Sequence, residues 1–213
     1  MHVVWNLRYD VGLVNLKHTP KRPTDEHAAE ADMAWVRAAL DGDMAAFETL
    51  VRHYRNDVFA LSYHFVRNRE DAWDLSQEVF IKAYRALSRF RGEAGFKTWL
   101  LRIAANHAKD FLKKKRLEIV PFNDALNADA ESVGADPGRR LEMTELGQAI
   151  DGAVAELPVK QRTAFILREF EDMSYQEMAE VMQCSMGTVM SRLHHARKKL
   201  QQALKKKGIV KES

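Results

Sequence analysis

Along most of the chain, apolar residues recur at intervals of three and four, which is the period of an amphipathic helix. In the first half of the chain this pattern predicts four helices. The first runs from about residue 32 to Gly42, and the second begins after Asp43. The third and fourth cover about 69–87 and 96–115, and two glycines separate them.

The helical period lapses between residues 117 and 138, where proline, glycine, asparagine and aspartate accumulate. This segment holds five acidic residues and no lysine or arginine, and we expect it to be an acidic flexible linker. The helical period returns over about 139–156 and 158–170 and continues into two further helices. The predicted fold is therefore all-α, with two helical domains joined by a flexible linker and a helix-turn-helix in the C-terminal domain.

The beginning of the chain follows a different pattern. Val3, Trp5 and Leu7 start an alternation typical of a β-strand, but no partner strand is evident. The segment is a flexible arm, a strand that binds a partner, or sequence translated from a misplaced start upstream of Met33. The predicted divisions are this extension at 1–31, a first domain at 32–116, the linker at 117–138, a second domain at 139–207 and a tail at 208–213.

Residues 174–200 carry the pattern of a helix-turn-helix. Ser174 and Glu177 have the spacing of a capping box, and Ser185 can cap a second helix. The predicted buried positions are Tyr175, Met178, Ala179 and Met182 in the first helix and Val189, Leu193, Ala196 and Leu200 in the second. The other face of the second helix could then enter a DNA major groove. A plain helical hairpin with a solvated basic face is the alternative.

Charge along the chain favours a polyanionic partner. The formal net charge of the 213 residues is only +3, but residues 192–211 contain eight lysines or arginines and no acidic residue. The single cysteine, Cys184, excludes an intramolecular disulfide and predicts a reducing compartment. No apolar run is long enough to cross a bilayer, so we expect a cytoplasmic protein without direct membrane insertion. We expect no metal and no cofactor, because Cys184, His194 and His195 are too few ligands for a structural zinc site.

Basic and aromatic residues are interleaved from the end of the third predicted helix into the fourth. Cations can neutralise phosphates, aromatic rings can stack on unpaired bases, and an asparagine can bind a base edge. These residues are therefore candidates for binding single-stranded DNA: Arg89, Phe90, Arg91, Phe96, Lys97, Arg102, Asn106, Lys109 and Lys113. For Phe96 and Trp99 the alternative is core packing, and for Trp99 we favour that alternative.

Acidic residues occur in two places where they could have a role. Asp71, Asp74 and Glu78 form a stripe on the third predicted helix, which is either a protein-binding face or a solvated one. Glu169, Glu171 and Asp172 lie together near the end of a later predicted helix. We expect these last three carboxylates to be solvated. A helical nuclease is therefore a weak interpretation, because no metal-ligand cluster or positioned nucleophile accompanies them.

Three segments together resemble the extracytoplasmic function (ECF) group of the sigma-70 family, the promoter-specificity subunits of bacterial RNA polymerase. DLSQEVFIKAYRAL (74–87) resembles the polymerase-binding segment of the family, and FRGEAGFKTWLLRIAANHAKDFLKKKR (90–116) resembles its −10 segment. The −35 segment is matched by LPVKQRTAFILREFEDMSYQEMAEVMQCSMGTVMSRLHHARKKL (157–200). The order and spacing of the three are more specific than any one of them.

The resemblance implies a role for each set of residues, and no catalytic site. Asp71, Asp74, Leu75, Gln77 and Glu78 would bind a coiled coil of the largest polymerase subunit. The interleaved basic and aromatic set would bind the −10 element and hold a flipped base during promoter melting. The −35 duplex would be contacted by Ser185, Gly187, Thr188, Met190, Ser191, Arg192, His194, Arg197 and Lys198. The C-terminal domain would also bind the flap of the β subunit, and an anti-sigma factor would hold the protein inactive.

The sequence departs from the family pattern at three positions. Met190 and His195 stand where many members have arginine, so the usual −35 sequence cannot be assumed, and Ser76 replaces an apolar residue in the docking segment. A transcription regulator that binds duplex DNA as a dimer is a further alternative. Such a regulator would protect its operator without polymerase, whereas a sigma factor would need the core enzyme.

Overall fold

The computed structural model describes residues 26–119 and 145–208, and within these ranges it contains helices and no strand. The alternating segment that starts at Val3 lies outside the described residues. The predicted linker also lies outside them, apart from residues 117–119, which continue a helix. Among the described helices, none combines the length and the apolar character needed to cross a bilayer.

The N-terminal group contains four α-helices and one short 3-10 helix. The helices are α1 Glu26–Leu40, α2 Met44–Val66, α3 Arg69–Ala86, the 3-10 turn Leu87–Arg89 and α4 Phe96–Ile119. The predicted helices are confirmed. However, α1 begins earlier than the expected start near residue 32, and α4 continues beyond residue 115.

Local capping sets the ends of α2 and the start of α3. The carboxylate of Asp43 accepts hydrogen bonds from the backbone amides of Ala45 and Ala46, at 2.9 and 3.3 Å. Arg67 ends α2 in the left-handed conformation, with φ 55°, and its amide bonds to the carbonyl of Tyr63. Such caps satisfy backbone groups that have no partner inside the helix. The turn between α2 and α3 is therefore short and well defined.

The apolar stripes of α2, α3 and α4 pack together to form the N-terminal core. Leu50, Val58 and Leu61 of α2 are fully buried, as are Val79 of α3 and Leu101 of α4. This arrangement buries one face of each helix and leaves the opposite faces of α3 and α4 available.

The C-terminal group contains the remaining four helices. They are α5 Glu145–Ala155, α6 Val159–Glu169, α7 Tyr175–Met182 and α8 Met186–Lys206. Pro158 is the N-cap of α6, immediately before its first residue. The long helix α8 packs on α5, α6 and α7, so that it runs through the centre of this group.

The two groups are packed directly against each other. Helix α4 contacts α7, and α2 contacts α6, and the main buried cluster includes side chains from both groups. The rings of His64 and Phe170 stack across this boundary, with centroids 3.7 Å apart. Arg67 forms an ion pair with Asp151. We call this packing the closed arrangement.

Arg162 of α6 is a buried cation at the same boundary. Its guanidinium donates to the carbonyl of Ala155, the last residue of α5, and to that of Leu157 just beyond it. It also donates to the carbonyl of Phe65 in the last turn of α2, at 3.2 Å. Helix C-termini carry partial negative charge, so these carbonyls stabilise the buried cation. Arg162 therefore links the C-terminal group to the last turn of α2.

Candidate nucleic-acid interface

The helix-turn-helix has the caps that the sequence predicts. The Ser174 hydroxyl accepts from the amide of Glu177, and the Glu177 carboxylate accepts from the amide of Ser174 at 2.8 Å, which completes the capping box. Gln183 turns the chain in the left-handed conformation, with φ 50°. Ser185 then caps α8 by accepting from the amide of Thr188 at 3.3 Å. Local hydrogen bonds thus fix the angle at which α8 leaves the turn.

The buried face of α8 is the predicted one, and that of α7 differs slightly. Val189, Leu193, Ala196 and Leu200 are all buried. In α7 the fully buried residues are Met178 and Val181; Val181 was not predicted, and Tyr175, Ala179 and Met182 are only partly buried. The two helices dock through these residues, which leaves the opposite side of α8 exposed.

Most of the predicted −35 residues lie on the exposed side of α8. Ser185, Gly187, Met190, Ser191, His194 and Lys198 are exposed, and Thr188, Arg192 and Arg197 are partly buried. Arg197 pairs with Glu169 of α6 at 2.9 Å, so its charge is partly neutralised by the protein. The guanidinium of Arg192 lies 3.4 Å from the sulfur of Cys184, which is a half-buried turn residue.

The predicted −10 residues form one surface over the 3-10 turn, the following loop and α4. Arg89, Arg91 and Lys113 are exposed; Phe90, Lys97, Arg102, Asn106 and Lys109 are partly buried; Phe96 is buried. Spacings of three and four place Arg102, Asn106, Lys109 and Lys113 on one side of α4. The surface is basic, with an amide group within it.

An aromatic cluster supports the loop of this surface from below. The ring of Phe90 lies 5.7 Å from that of Phe96 and 5.2 Å from that of Trp99. Trp99 is only 7% exposed, which agrees with the core packing favoured for it. Gly92 has φ 72°, and a Cβ there would lie 3.3 Å from Cε of Met33, so the loop requires glycine at this point. Of the aromatic side chains, the partly buried Phe90 is the one that remains accessible.

Lys97 connects the −10 surface to the C-terminal group. Its ammonium lies 2.7 Å from the carboxylate of Asp57 in α2 and 3.8 Å from that of Glu171. The expectation that Glu171 is solvated is wrong, since its side chain is only 5% exposed. Burial raises the pKa of Glu171 to about 7; Lys97 opposes this rise, and Asp57 and Asp172 add to it. The closed arrangement therefore buries a carboxyl group beside a candidate DNA-binding lysine.

The buried Glu171 makes the closed arrangement depend on pH. Its carboxyl group holds a proton up to about pH 7, whereas its ordinary pKa is 4.5, so the closed form binds more protons between these values. Its stabilising contribution is fully present below pH 4.5 and is lost as pH rises through about 7.

We expect X-ray scattering to show a larger radius of gyration at pH 8 than at pH 6. Glu171→Gln should reduce this difference, and Glu156→Gln, at an exposed position that does not contribute to the pKa of Glu171, should not. An unchanged pH dependence in Glu171→Gln would contradict this assignment.

A cavity of about 290 Å³ lies where α4 meets the C-terminal group. Three cations line it, Lys109 of α4, Lys160 of α6 and Arg192 of α8, together with Thr163, Met182 and Gln183. Burial lowers the pKa of Lys109, and the charges of Arg192 and Lys160 act in the same direction. One residue from each predicted DNA-binding set thus lies at this cavity. Lys160 was not among the DNA-binding residues predicted from sequence.

Helix α3 exposes a mixed apolar and acidic surface that differs from the predicted acidic stripe. Trp73 and Ile81 are 56% and 51% exposed, and they lie beside exposed Asp74, Gln77 and Glu78. We call these five residues the α3 surface. Sequence pattern missed Trp73 and Ile81, because a large apolar residue in an amphipathic helix is usually assigned to the core. Exposure of two such residues on one helix makes the α3 surface a candidate protein-binding face.

Two of the predicted docking residues are occupied within the chain. Leu75 is 3% exposed and packs in the core, so it cannot itself contact a partner in this arrangement. Asp71 pairs with Lys115 of α4 at 2.9 Å. By contrast, the carboxylate of Asp74 has no ion pair or hydrogen bond with any described residue.

Glu78 lies at the edge of the α3 surface and contacts α4. One of its carboxylate oxygens is 2.7 Å from Nε2 of His107, and Nδ1 of His107 is 2.5 Å from the ammonium of Lys82. The carboxylate of Glu78 is therefore oriented by a neighbouring helix, although its side chain is 59% exposed. This contact holds the exposed carboxylate of Glu78 in one position.

The two helical groups match two models of one protein family. The model described as Sigma-70 region 2 matches residues 50–118, which span most of α2 together with α3 and α4. The model described as Sigma-70, region 4 matches residues 147–200, from α5 into α8. The matches fall on the groups that carry the −10 and −35 candidates, respectively.

Full-length relatives agree with these matches. The RNA polymerase sigma-H factor of Pseudomonas aeruginosa is 40% identical over 183 residues, which cover 82% of this chain and 94% of the relative. The ECF RNA polymerase sigma-E factor of Haemophilus influenzae is 40% identical over 178 residues, or 80% and 93% of the two chains. This chain belongs to the ECF group of the sigma-70 family. As an ECF sigma factor, it directs promoter recognition in transcription initiation.

Solved structures of sigma factors share the fold. The sigma factor RpoE of Bartonella quintana, solved in complex with the anti-sigma factor NepR, is 27% identical and has a TM-score of 0.60 over 75% of this sigma factor and 96% of that chain. CnrH, in complex with the cytosolic domain of CnrY, has a TM-score of 0.62 at 24% identity, over 82% and 97% of the two chains. Membership in the sigma-70 family favours the sigma factor over the dimeric transcription regulator considered above.

Proposed function

We propose that this sigma factor binds core RNA polymerase through the α3 surface and contacts the two promoter elements through separate basic surfaces. The loop and exposed side of α4 would bind the −10 element as a melted strand, and α8 would bind the −35 duplex. The observation that carries this proposal is the exposure of the candidate −35 face along α8, opposite its buried face. Residues in the first turns of a helix that is exposed in this way can contact base edges in the major groove.

The α3 surface fits the proposed polymerase contact in its chemistry. Trp73 and Ile81 supply apolar area, and the exposed carboxylate of Asp74, which has no ion pair with any described residue, supplies charge for a basic partner. Aromatic residues surrounded by polar ones commonly dominate binding energy in protein interfaces. We infer that the partner is the coiled coil of the largest polymerase subunit, and that the C-terminal group binds the β-subunit flap.

Promoter binding would require the closed arrangement to open. Elements centred about 25 base pairs apart are about 85 Å apart along the duplex axis, at about 3.4 Å per base pair. In the closed arrangement Lys109 and Arg192, one from each DNA-binding set, line the same cavity. The two surfaces cannot reach both elements at once from this position. We infer that polymerase binding separates the two groups.

We further propose that an anti-sigma factor binds the closed arrangement. The support is the fold shared with RpoE of Bartonella quintana, which was solved with the anti-sigma factor NepR. The sigma factor would act in the cytoplasm, without inserting into the membrane and without a metal, a cofactor or a catalytic site of its own.

In vitro transcription tests the proposed function. Core polymerase is mixed with genomic promoter fragments, with and without this protein, and we expect transcripts that start only in its presence. Footprinting should show protection of the −35 region only when core polymerase is also present. Protection of DNA by the protein alone, with no binding to core polymerase, would contradict the proposal.

A further inference from the structure

Two methionines lie exposed at the beginning of α8. Met186 and Met190 are 50% and 48% exposed, although both are large and apolar. They are the first and fifth residues of α8, and a spacing of four places them next to each other on its surface. Neither belongs to the face that docks on α7, where Val189 and Leu193 are buried.

The surroundings of the methionines suit a DNA groove. Gly187 is exposed beside them, and a Cβ there would meet only Oγ of Ser185, at 4.0 Å, so the helix can approach a surface closely. Exposed Lys198 lies further along the helix, where a cation can bind a phosphate. The major groove exposes the methyl groups of thymines between two rows of charged phosphates. Exposed apolar residues with a cation and a small residue nearby match that combination.

We propose that Met186 and Met190 contact the 5-methyl groups of thymines in the −35 duplex and so set the base preference of this sigma factor. The proposal rests on the −35 role of α8 proposed above. Many family members have arginine at the position of Met190, and an arginine side chain binds guanine through its O6 and N7 atoms. Methionine has no hydrogen-bond donor, and its thioether sulfur is only a weak acceptor, so its contacts to a base edge are mainly apolar. This protein should therefore prefer thymine where arginine-containing relatives would favour guanine.

The first test is a selection of −35 sequences. Holoenzyme assembled from core polymerase and the full chain is bound to promoter DNA with a randomised −35 element, and the bound sequences are determined. We expect enrichment of thymine at one or two positions, and Met190→Arg should shift one of these positions to guanine. If no −35 sequence of any kind is enriched, the proposed −35 role fails. If a sequence is enriched without thymine, only the methionine proposal fails.

The second test removes the methyl group and leaves the hydrogen-bonding edge of the base intact. Deoxyuridine replaces each enriched thymine, and holoenzyme binding is measured by competition. Loss of one buried methyl should weaken binding by the native protein about threefold to fivefold. Met186→Ala and Met190→Ala should each reduce this discrimination, whereas Gln202→Ala, at an exposed position later in α8, should leave it unchanged.

Two outcomes of the second test would overturn the proposal. One is equal binding of thymine and deoxyuridine DNA by the native holoenzyme. The other is weaker binding of the methionine variants to core polymerase without DNA, which would make Met186 and Met190 part of a protein-binding surface. Because both side chains are exposed, the alanine variants should keep the thermal unfolding midpoint of the native protein, and that measurement separates lost contacts from lost folding.

Discussion

Replacing Trp73 by alanine together with Asp74→Lys is expected to remove most of the affinity for core polymerase. Trp73 is 56% exposed and Asp74 has no ion pair with any described residue, so both side chains are available to a partner. Truncating an interface tryptophan costs about 2 kcal/mol, or about 30-fold in affinity, and the reversed charge adds to that loss. Core binding measured by fluorescence anisotropy should therefore fall by about 100-fold or more.

The controls separate docking from folding. Asp41→Lys makes the same charge reversal at an exposed residue of the N-terminal group, outside the α3 surface, and should leave core binding unchanged. Asp74→Lys alone tests the charge, and Trp73→Phe keeps an aromatic ring that can still contact Phe59, whose centroid is 6.0 Å from that of Trp73. Full core binding by the double variant, with an unchanged unfolding midpoint, would show that the α3 surface is not the docking site.

Breaking the ion pair between Arg67 and Asp151 should open the closed arrangement. Both side chains are largely buried at the boundary, at 10% and 14% exposed. Asp151→Ala removes the carboxylate that pairs with the Arg67 cation in this poorly solvated site. The loss destabilises the closed form by about 3 kcal/mol, which shifts the equilibrium towards the open form about 100-fold. Small-angle scattering should then show a larger radius of gyration, and binding of a −35 duplex by the free protein should increase.

A charge exchange provides the matched control for this prediction. The double variant Arg67→Asp with Asp151→Arg restores opposite charges, and we expect it to recover part of the compactness that each single variant loses. Because Arg67 also lies over the ring of Tyr63, at 5.4 Å, recovery should be incomplete. Unchanged scattering and unchanged DNA binding in Asp151→Ala would show that this pair does not hold the two groups together.

Local sequence was sufficient to predict the helices and the helix-turn-helix. The buried residues of α8 follow a period that any amphipathic helix shows, and Ser174, Glu177 and Ser185 form caps with amides only three residues away. These features depend on contacts within one or two turns of helix. The family resemblance added the partners, because three segments in a fixed order are specific in a way that periodicity is not.

Other residues could be assigned only in the folded chain. Periodicity marks an apolar residue as a core candidate, but whether another helix covers it depends on packing, which buries Leu75 and leaves Trp73 exposed on the same helix. Burial of Glu171 beside Lys97 likewise needs segments far apart in sequence to meet. The sequence therefore determined the secondary structure and the family, through short-range hydrogen bonds and apolar spacing. Tertiary structure alone decided which side chains remain available to polymerase and DNA, because exposure depends on how distant helices pack.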